Sequence, residues 1–280
     1  MTATSMINLS DVSANHPVLL EGNCLVPPAG TSPIITAGTC GDYDGDGLIG
    51  TAEDMDGDRV FGTVAAALGA GTGANQNGRV IIVTSGVFAE VVNITAANGN
   101  VTFEAAPGVD ADIDAILQGD PGSTGRQNAP GIVVNSPSNR IVTIRNITSR
   151  NWTDGIRVQG SSRVFIDNCR IEHNVNHGIR VLDNARVTIT DTRVSGTGFR
   201  VGGGTDFPGT STPAPGVGIL YAGNTAGVIS NTTVTRSFGA GIMNAAANSA
   251  LVELFHVVSA DSNPSFVGFK NIPIKGSIAP

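Results

Sequence analysis

The chain has 280 residues, of which 37 are glycine and only 5% are aromatic, and this composition argues against a single thick globular core. Its length favours two domains or one elongated repeat architecture, and thin stacked strands with tight corners suit many glycines and few large rings. The net charge of −7 is uneven, because seven of the 23 acidic residues lie in one stretch and the other 16 balance the 16 basic residues. No stretch approaches the ~20 apolar residues of a membrane helix, so we expect no membrane span.

The N-terminal part of the chain, residues 1–60, is expected to be an irregular segment. It contains Cys24 and Cys40, which lie 16 residues apart and could form a disulfide, although unpaired thiols are the alternative. The first 20 residues lack the charged start and apolar run of a signal peptide.

Residues 42–53 have the spacing of a twelve-residue calcium loop, with Asp at positions 1, 3 and 5, Gly at position 6 and Glu at position 12. Calcium takes six to eight oxygen ligands, and alternate carboxylates on a tight turn converge on one point. The unit resembles a dockerin-type calcium turn, and an acidic solvated turn without an ion is the alternative. We predict bound Ca2+ with ligands drawn from Asp42, Asp44, Asp46, Leu48 through its carbonyl, Glu53, Asp54, Asp56 and Asp58.

A short helix is predicted next, because apolar residues recur at helical spacing at Phe61, Val64, Ala65 and Leu68. Such a helix would cover the open end of a stack of strands and hide its unpaired edges. Apolar strands are predicted after it at Val80–Val83, within Gly86–Ile94 and at Val101–Phe103.

A repeat of about 23 residues is the strongest signal in the chain. Tetrapeptides of the form Gly-Ile-x-Val, or close to it, recur at spacings of 24, 23, 40 and 23 residues, and residues 196–215, rich in Gly, Pro, Ser and Thr, account for the long spacing. Each is followed by an alternating strand such as Val164-Phe165-Ile166 and then by a short third strand. The tetrapeptides begin at Gly131, Gly155, Gly178, Gly218 and Gly241.

Short β-branched strands with no helix in the repeat cannot bury an apolar face alone, but coils stacked in register can. We therefore predict an all-β fold, a right-handed parallel β-helix over residues 61–270 with a short N-terminal capping helix, followed by a C-terminal tail or cap at 271–280. Leucine-rich repeats have similar periods, but their Leu/Asn consensus is absent. Cys169 occupies an apolar position in a repeat and is expected to be a buried free thiol.

The cap helix, the strand at Val80–Val83 and the Gly-aliphatic-aromatic-x-Glu segment starting at Gly86 resemble the opening of the pectate-lyase-like β-helix superfamily. The resemblance extends over roughly residues 61–269 and implies the fold. It implies no single activity, because this superfamily contains lyases, hydrolases, epimerases, tailspikes and adhesins.

The segment Asn151–Ile156 resembles the Asn-Thr-Asp-Gly-Ile segment of polygalacturonase-type glycosidases. An inverting glycosidase needs a second carboxylate about 6.5–9.5 Å away, and the next coil, Asn174–Gly178, supplies no Asp pair. The simpler interpretation is that Asp154 and Gly155 form a corner turn. His173 and His177 are read as exposed turn residues, with a metal pair as the alternative.

Arginines recur at the 23-residue period, so Arg157 and Arg180 should stack on adjacent coils. Either nearby acids, namely Asp167, Glu172, Asp183 and Asp191, neutralise the arginine-rich face, or it binds a polyanion such as an anionic polysaccharide. The other predicted pairs are Arg163 with Arg186 and Arg170 with Arg193. Nucleic acid is not expected, because aromatic residues do not interleave with the basic ones.

We predict an extracellular or cell-surface β-helix protein stabilised by calcium, with a structural, adhesive or glycan-binding role and the potential to form homo-oligomers or filaments. The alternative is a polysaccharide-active enzyme, either a uronate lyase or a glycoside hydrolase. The candidate catalytic residues are Asp154, Arg157, His177 and Arg180.

Overall fold

The chain folds as a parallel β-helix in a computed structural model. Every coil contributes one strand to each of three sheets, and every pairing between neighbouring strands is parallel. The structure describes residues 18–20, 60–61, 63–71, 77–82, 85–115, 129–137, 139–198, 216–247 and 252–269.

Apart from the first two strands, which both join one sheet, the strands of each sheet come every third place along the chain. Sheet I consists of β1 (Val18–Leu20), β2 (Val60–Phe61), β3 (Asn77–Ile82), β6 (Asn100–Ala105), β9 (Ile141–Arg145), β12 (Arg163–Asp167), β15 (Arg186–Thr190), β18 (Ala226–Ser230) and β21 (Val252–Phe255). Sheet II consists of β4 (Gly86–Phe88), β7 (Ala111–Asp114), β10 (Ile147–Arg150), β13 (Arg170–Glu172), β16 (Arg193–Ser195), β19 (Thr233–Thr235) and β22 (Val258–Ala260). Sheet III consists of β5 (Val92–Thr95), β8 (Ile132–Ser136), β11 (Asp154–Gly160), β14 (His177–Val181), β17 (Val217–Gly223), β20 (Ile242–Ala246) and β23 (Phe266–Val267).

Isoleucines of successive coils lie directly over one another, as the repeat predicts. Ile156 is in register with Ile179 on the next coil and with Ile132 on the previous one, and all three are fully buried. Full burial of one such side chain contributes roughly 1.5–3 kcal/mol relative to exposure. The interior of the solenoid is therefore a continuous column of aliphatic contacts, and the predicted fold is confirmed.

The glycine that precedes each of these isoleucines lies against the neighbouring sheet. A Cβ at Gly155 would approach Ile171 Cγ2 to 2.5 Å, and a Cβ at Gly178 would collide with Val194 Cγ1 and stand 2.6 Å from the Gly218 carbonyl oxygen. The recurrent Gly-Ile pair is therefore a packing requirement of the coil.

Corners of the coil between sheets I and II use one residue in the left-handed region. Asn146, Asn168, Asp191 and Asn231 occupy equivalent positions with φ between 48° and 57°. Asn and Asp tolerate this conformation better than other side chains. The corner repeats because the same short polar side chain recurs once per coil.

The predicted capping helix is present as α1, Val64–Gly71, and it packs on sheet I. It begins three residues after Phe61, which lies in β2. The sequence pattern was wrong about one buried position, because Ala67 is buried and Ala65 is exposed. The carboxylate of Glu90, in the corner between β4 and β5, accepts hydrogen bonds from the backbone N–H groups of Val64 (2.8 Å) and Ala65 (3.0 Å) and so caps the helix.

Several predictions concern other parts of the chain. Cys169 is a buried free thiol, as predicted, and burial raises its pKa to about 12. Val18–Leu20, from the segment expected to be irregular, pairs with β3, which the sequence pattern did not indicate. Among the described residues, no helix is long and apolar enough to cross a membrane. The calcium-loop residues, Cys24, Cys40 and residues 271–280 lie outside the described part of the chain.

Substituting Gly178→Ala tests the packing requirement of the coil. The new methyl group meets backbone as well as side chain, so the coil must shift, and we expect a loss of roughly 1–3 kcal/mol. The thermal unfolding midpoint measures it. Gly69→Ala is the matched control, since nothing lies within 4 Å of a Cβ there and alanine favours a helix. A midpoint for Gly178→Ala at or above that of the wild type would contradict this account.

Candidate functional site

A buried tryptophan fixes the corner that leads into β11. Trp152, the only tryptophan of the chain, is fully buried and donates its Nε1–H to the Ile113 carbonyl at 2.7 Å. Its backbone N–H donates to Asn174 Oδ1 at 3.0 Å. A Cβ at Gly131 would overlap the indole ring, so glycine at that position makes room for it. This packing fixes the position of Asp154 two residues later.

Asp154 is the centre of a cluster formed by residues of β11 and β14. Its Oδ2 accepts hydrogen bonds from Arg157 Nε (2.7 Å) and pairs with Arg157 Nη2 (2.6 Å). Its Oδ1 lies 2.8 Å from His177 Nδ1, and Arg180 Nη1 lies 3.7 Å from Oδ2. The structure thus brings together all four candidate residues, which we call the Asp154 centre.

The carboxylate of Asp154 is fully buried, whereas the side chains of Arg157 and Arg180 are 25% and 32% exposed. Burial alone would raise the pKa of Asp154, but the hydrogen bond and charge of His177, together with Arg157, outweigh burial and hold that pKa below its ordinary value. Asp154 is therefore an ionised carboxylate at neutral pH, so it organises its partners and does not serve as a general acid.

The two guanidinium groups lie on adjacent rungs and share this one carboxylate. Arg157 is in register with Arg180, and the column continues with Val133 on one side and Leu220 on the other. Arg180 Nε is buried without a hydrogen-bond partner. Two cations against one anion leave the Asp154 centre with a positive charge that reaches solvent through the arginines.

From β3 onward, the two longest connections between described strands lead from β7 into β8 and from β16 into β17. The strands that these connections enter, β8 and β17, flank β11 and β14 on either side in sheet III. Binding and catalytic groups in rigid scaffolds concentrate where long connections emerge. The Asp154 centre therefore lies between the two strands that follow the longest connections, a position suited to a functional site.

Two interpretations of this region are corrected by the structure. Asp154 and Gly155 do not form a corner turn, because Asp154 begins β11 and pairs with His177 on β14. His177 is not an exposed turn residue but is buried in β14, whereas His173 is exposed at a corner with φ of 53°. The spacing of residues in the sequence did not indicate the burial of His177, because that burial depends on its contact with Asp154 on the preceding coil.

No second carboxylate joins the Asp154 column on the following two rungs, which carry His177 and Val217. Among the described residues, no group of three or more His, Cys, Asp or Glu side chains is placed to hold a metal ion. The paired-carboxylate arrangement of an inverting glycosidase is thus absent from this column.

The other arginines differ in how their charge is balanced. Glu172 pairs with Arg170, as one sequence interpretation proposed, whereas Asp167 pairs with Arg145, outside the stacked pairs, and Asp183 accepts from the Gly160 backbone N–H. The sequence analysis missed further acidic partners contributed by earlier coils: Glu104 pairs with Arg79 and Arg145, and Asp112 and Asp114 pair with Arg150. Burial is the main cause that raises the pKa of Asp112, against the opposing charge of Arg150.

The fold and this centre define a parallel β-helix protein with a charged site on two central strands of sheet III, β11 and β14. The chain belongs to the family described as the right handed beta helix region, whose model matches residues 78–255. The predicted right-handed parallel β-helix superfamily is thereby confirmed.

Solved structures of similar shape include the pectin methylesterase from Aspergillus niger in its deglycosylated form, at 11% identity and a TM-score of 0.42, covering 91% of this chain and 84% of that one. The penultimately deglycosylated form of the same enzyme matches at 11% identity and a TM-score of 0.39, covering 90% and 85% of the two chains. A likeness at this level carries no information on activity. No curated protein matches the sequence.

Substituting Asp154→Asn removes the charge that balances the centre. We expect a loss of roughly 3 kcal/mol at neutral pH, because a buried ion pair loses one partner while the arginines stay partly solvated. Since the folded-state pKa of Asp154 is lowered, its contribution is complete above the ordinary Asp pKa of about 4 and fades as the pH falls through the folded-state value. Unfolding midpoints measured at several pH values check this: the difference in midpoint between Asp154→Asn and the wild type should become smaller as the pH is lowered.

Asp191→Asn is the matched control for this measurement. Asp191 is exposed at a corner where neighbouring coils already carry Asn168 and Asn231 in the same conformation. We expect its unfolding midpoint to match the wild type. Equal losses in the two variants would show that Asp154 has no special role.

Proposed function

We propose that this protein binds acidic polysaccharides and that the Asp154 centre holds a carboxylate of the bound chain. One observation carries the proposal: the stacked guanidinium groups of Arg157 and Arg180 share a single buried carboxylate and face solvent. Planar guanidinium groups bind carboxylates in a bidentate manner. A ligand carboxylate would balance the remaining charge.

Apolar groups beside the arginines suit a sugar ring. Val133 and Leu220 continue the arginine column and are partly exposed. A pyranose presents C–H groups on its faces and hydroxyl or carboxylate groups at its rim. The rung spacing of ~4.8 Å is comparable with the length of one sugar residue, so a chain lying along the solenoid would meet one coil per sugar.

Substituting Arg180→Gln tests this function. We expect the affinity for a size-defined oligogalacturonate to fall by about tenfold, the loss of one charge-assisted contact. Isothermal titration calorimetry measures the affinity, and a fully methyl-esterified oligomer should bind weakly to both proteins. Arg193→Gln on sheet II is the control, with the same change in net charge. Unchanged affinity in Arg180→Gln, or an equal loss in Arg193→Gln, would refute the assignment.

A second candidate function is supported by the hydrogen bond between Asp154 Oδ1 and His177 Nδ1. In the imidazole tautomer that carries its proton on Nδ1, His177 donates to Asp154 and its Nε2 is a proton acceptor. With the arginines binding a uronate carboxylate, His177 Nε2 takes the proton from C5, the C4–O bond breaks and a C4=C5 double bond forms, as in a polysaccharide lyase. The departing glycosidic oxygen takes up a proton from the imidazolium or from water. Glycoside hydrolysis is less well supported because the second carboxylate is absent from the column.

The same oligogalacturonate distinguishes the two functions. Elimination produces unsaturated ends that absorb in the ultraviolet, whereas hydrolysis produces reducing ends alone. Binding without either product favours a non-catalytic role. Unsaturated product that disappears in His177→Ala and in Arg180→Ala would make the protein a lyase.

We also propose that Asp42, Asp44, Asp46, Leu48 and Glu53 bind one calcium ion, with Asp54, Asp56 and Asp58 as additional or alternative ligands. The support is the spacing of oxygen ligands in the sequence, since like charges this dense repel one another without a cation. An extracellular or cell-surface location, where calcium is abundant and acidic polysaccharides are accessible, fits this assignment.

Removal of calcium tests that assignment. We expect chelation to lower the unfolding midpoint of the wild type and to leave Glu53→Gln nearly unaffected, since a bound ion stabilises only the folded state. Light scattering in the same two conditions tests the proposed self-assembly, which a monodisperse monomer in both would contradict. A calcium-independent midpoint in the wild type would refute the structural role of the ion.

A further inference from the structure

A second groove lies on the outer face of sheet I, away from the Asp154 centre. Its volume is about 320 Å³, and its walls include Arg163 and Phe165 of β12, Arg186 of β15, Val228 of β18 and Glu253 of β21. These residues project from neighbouring rungs in register. Arg163 faces Arg186, and Val228 faces Glu253.

The charges of this groove are not balanced within the described part of the chain. Arg163 and Arg186 are exposed, lie on adjacent rungs and form no ion pair with another described residue. In each of the other two stacked pairs, at least one arginine has a carboxylate partner: Asp154 pairs with Arg157 and Arg180, and Glu172 pairs with Arg170. Like charges directly opposite each other in a sheet are destabilising, so an anion bound between Arg163 and Arg186 would stabilise the sheet.

An apolar platform adjoins the two arginines. Phe165 is 36% exposed and Ile141 is 44% exposed, and they are two of the three large apolar side chains exposed among the described residues. Ile141 of β9 lies in register with Arg163 of β12. Phe165 lies two residues after Arg163 on β12 and therefore on the same face of the sheet. The ligand therefore needs an apolar side as well as a negative charge.

Two small residues of β18, Ala226 and Gly227, line this groove. Ala226 lies in register with Arg186, and Gly227 follows it. A Cβ at Gly227 would overlap the Val187 carbonyl oxygen and stand 2.9 Å from the hydroxyl of Tyr221, which donates to that carbonyl at 2.9 Å. The Val187 carbonyl and the buried tyrosine thus require glycine at this inward-facing position, whereas Ala226 adds only a methyl group to the arginine column.

We infer that this groove on sheet I is a second binding site for an acidic sugar residue, with Arg163 and Arg186 holding its carboxylate and Phe165 packing on its ring face. The assignment rests on the proposed polysaccharide binding and adds a separate surface to it. Thr188 and Glu253, on the same face, are placed to hydrogen-bond ring hydroxyls. A neutral sugar would leave the positive charge of the two arginines unbalanced, and a small inorganic anion would have no ring face to pack on Phe165.

The test titrates a size-defined oligogalacturonate into the wild-type chain, R163Q/R186Q, Phe165→Ala and the control R170Q/R193Q. We expect R163Q/R186Q to lose at least about tenfold in affinity and Phe165→Ala roughly fivefold, with the control within about twofold of the wild type. The control removes the same two charges from a stacked pair on sheet II. R163Q/R186Q should also unfold at or above the wild-type temperature, because a repulsive pair is removed.

Each other outcome overturns the inference. Wild-type affinity in R163Q/R186Q, or an equal loss in R170Q/R193Q, shows that this groove is not a specific site. Tighter binding of a single-stranded oligonucleotide than of the uronate, lost in R163Q/R186Q, assigns the groove to nucleic acid instead. Arg180→Gln separates this inference from the proposed function: loss there alone leaves only the Asp154 centre, loss in R163Q/R186Q alone leaves only this groove, and no binding by the wild type refutes both.

Discussion

Vertical stacking of equivalent residues is the constraint on which the rest of this structure depends. A rung repeat of ~4.8 Å places each side chain against its counterpart on the next coil, so the residue type that suits one rung also suits the next. Ile132, Ile156 and Ile179 form one such interior column. Aliphatic residues suit it, because they stack without leaving polar groups unpaired.

The same stacking governs the outer surface, where it makes charge placement difficult. One solution is a column of alternating sign, in which Glu104, Arg145 and Asp167 follow each other in register along sheet I and Arg79 pairs with Glu104 from a diagonal position. A second is the Asp154 centre, in which one buried carboxylate serves two arginines. Arg163 and Arg186 have neither solution within the described residues, and this difference separates a structural surface from a candidate binding surface.

Rigidity of the scaffold gives these surfaces their functional value. Arg157 and Arg163 project from strands hydrogen-bonded on both sides, so little backbone ordering is needed when a ligand binds. The Asp154 centre adds a locked carboxylate that fixes the orientation of His177. A rigid array with one coil per sugar suits a polymer better than a small isolated ligand.

The sequence by itself determined the solenoid, because a period of 23 residues in apolar and glycine positions has few other solutions. It also indicated which arginines would stack, since register follows directly from the period. The free thiol at Cys169 followed from its apolar position in the repeat. These features are local or strictly periodic, so one strand predicts the next.

Only the tertiary structure decided which charges neutralise each other. Arg150 pairs with Asp112 and Asp114, 38 and 36 residues earlier, because an intervening long connection places them one rung apart. The burial of His177 against Asp154 and the exposure of Ala65 in α1 were likewise set by neighbouring coils. Side-chain pairing across rungs depends on loop lengths and on the direction of each side chain, and neither follows from the periodic pattern alone.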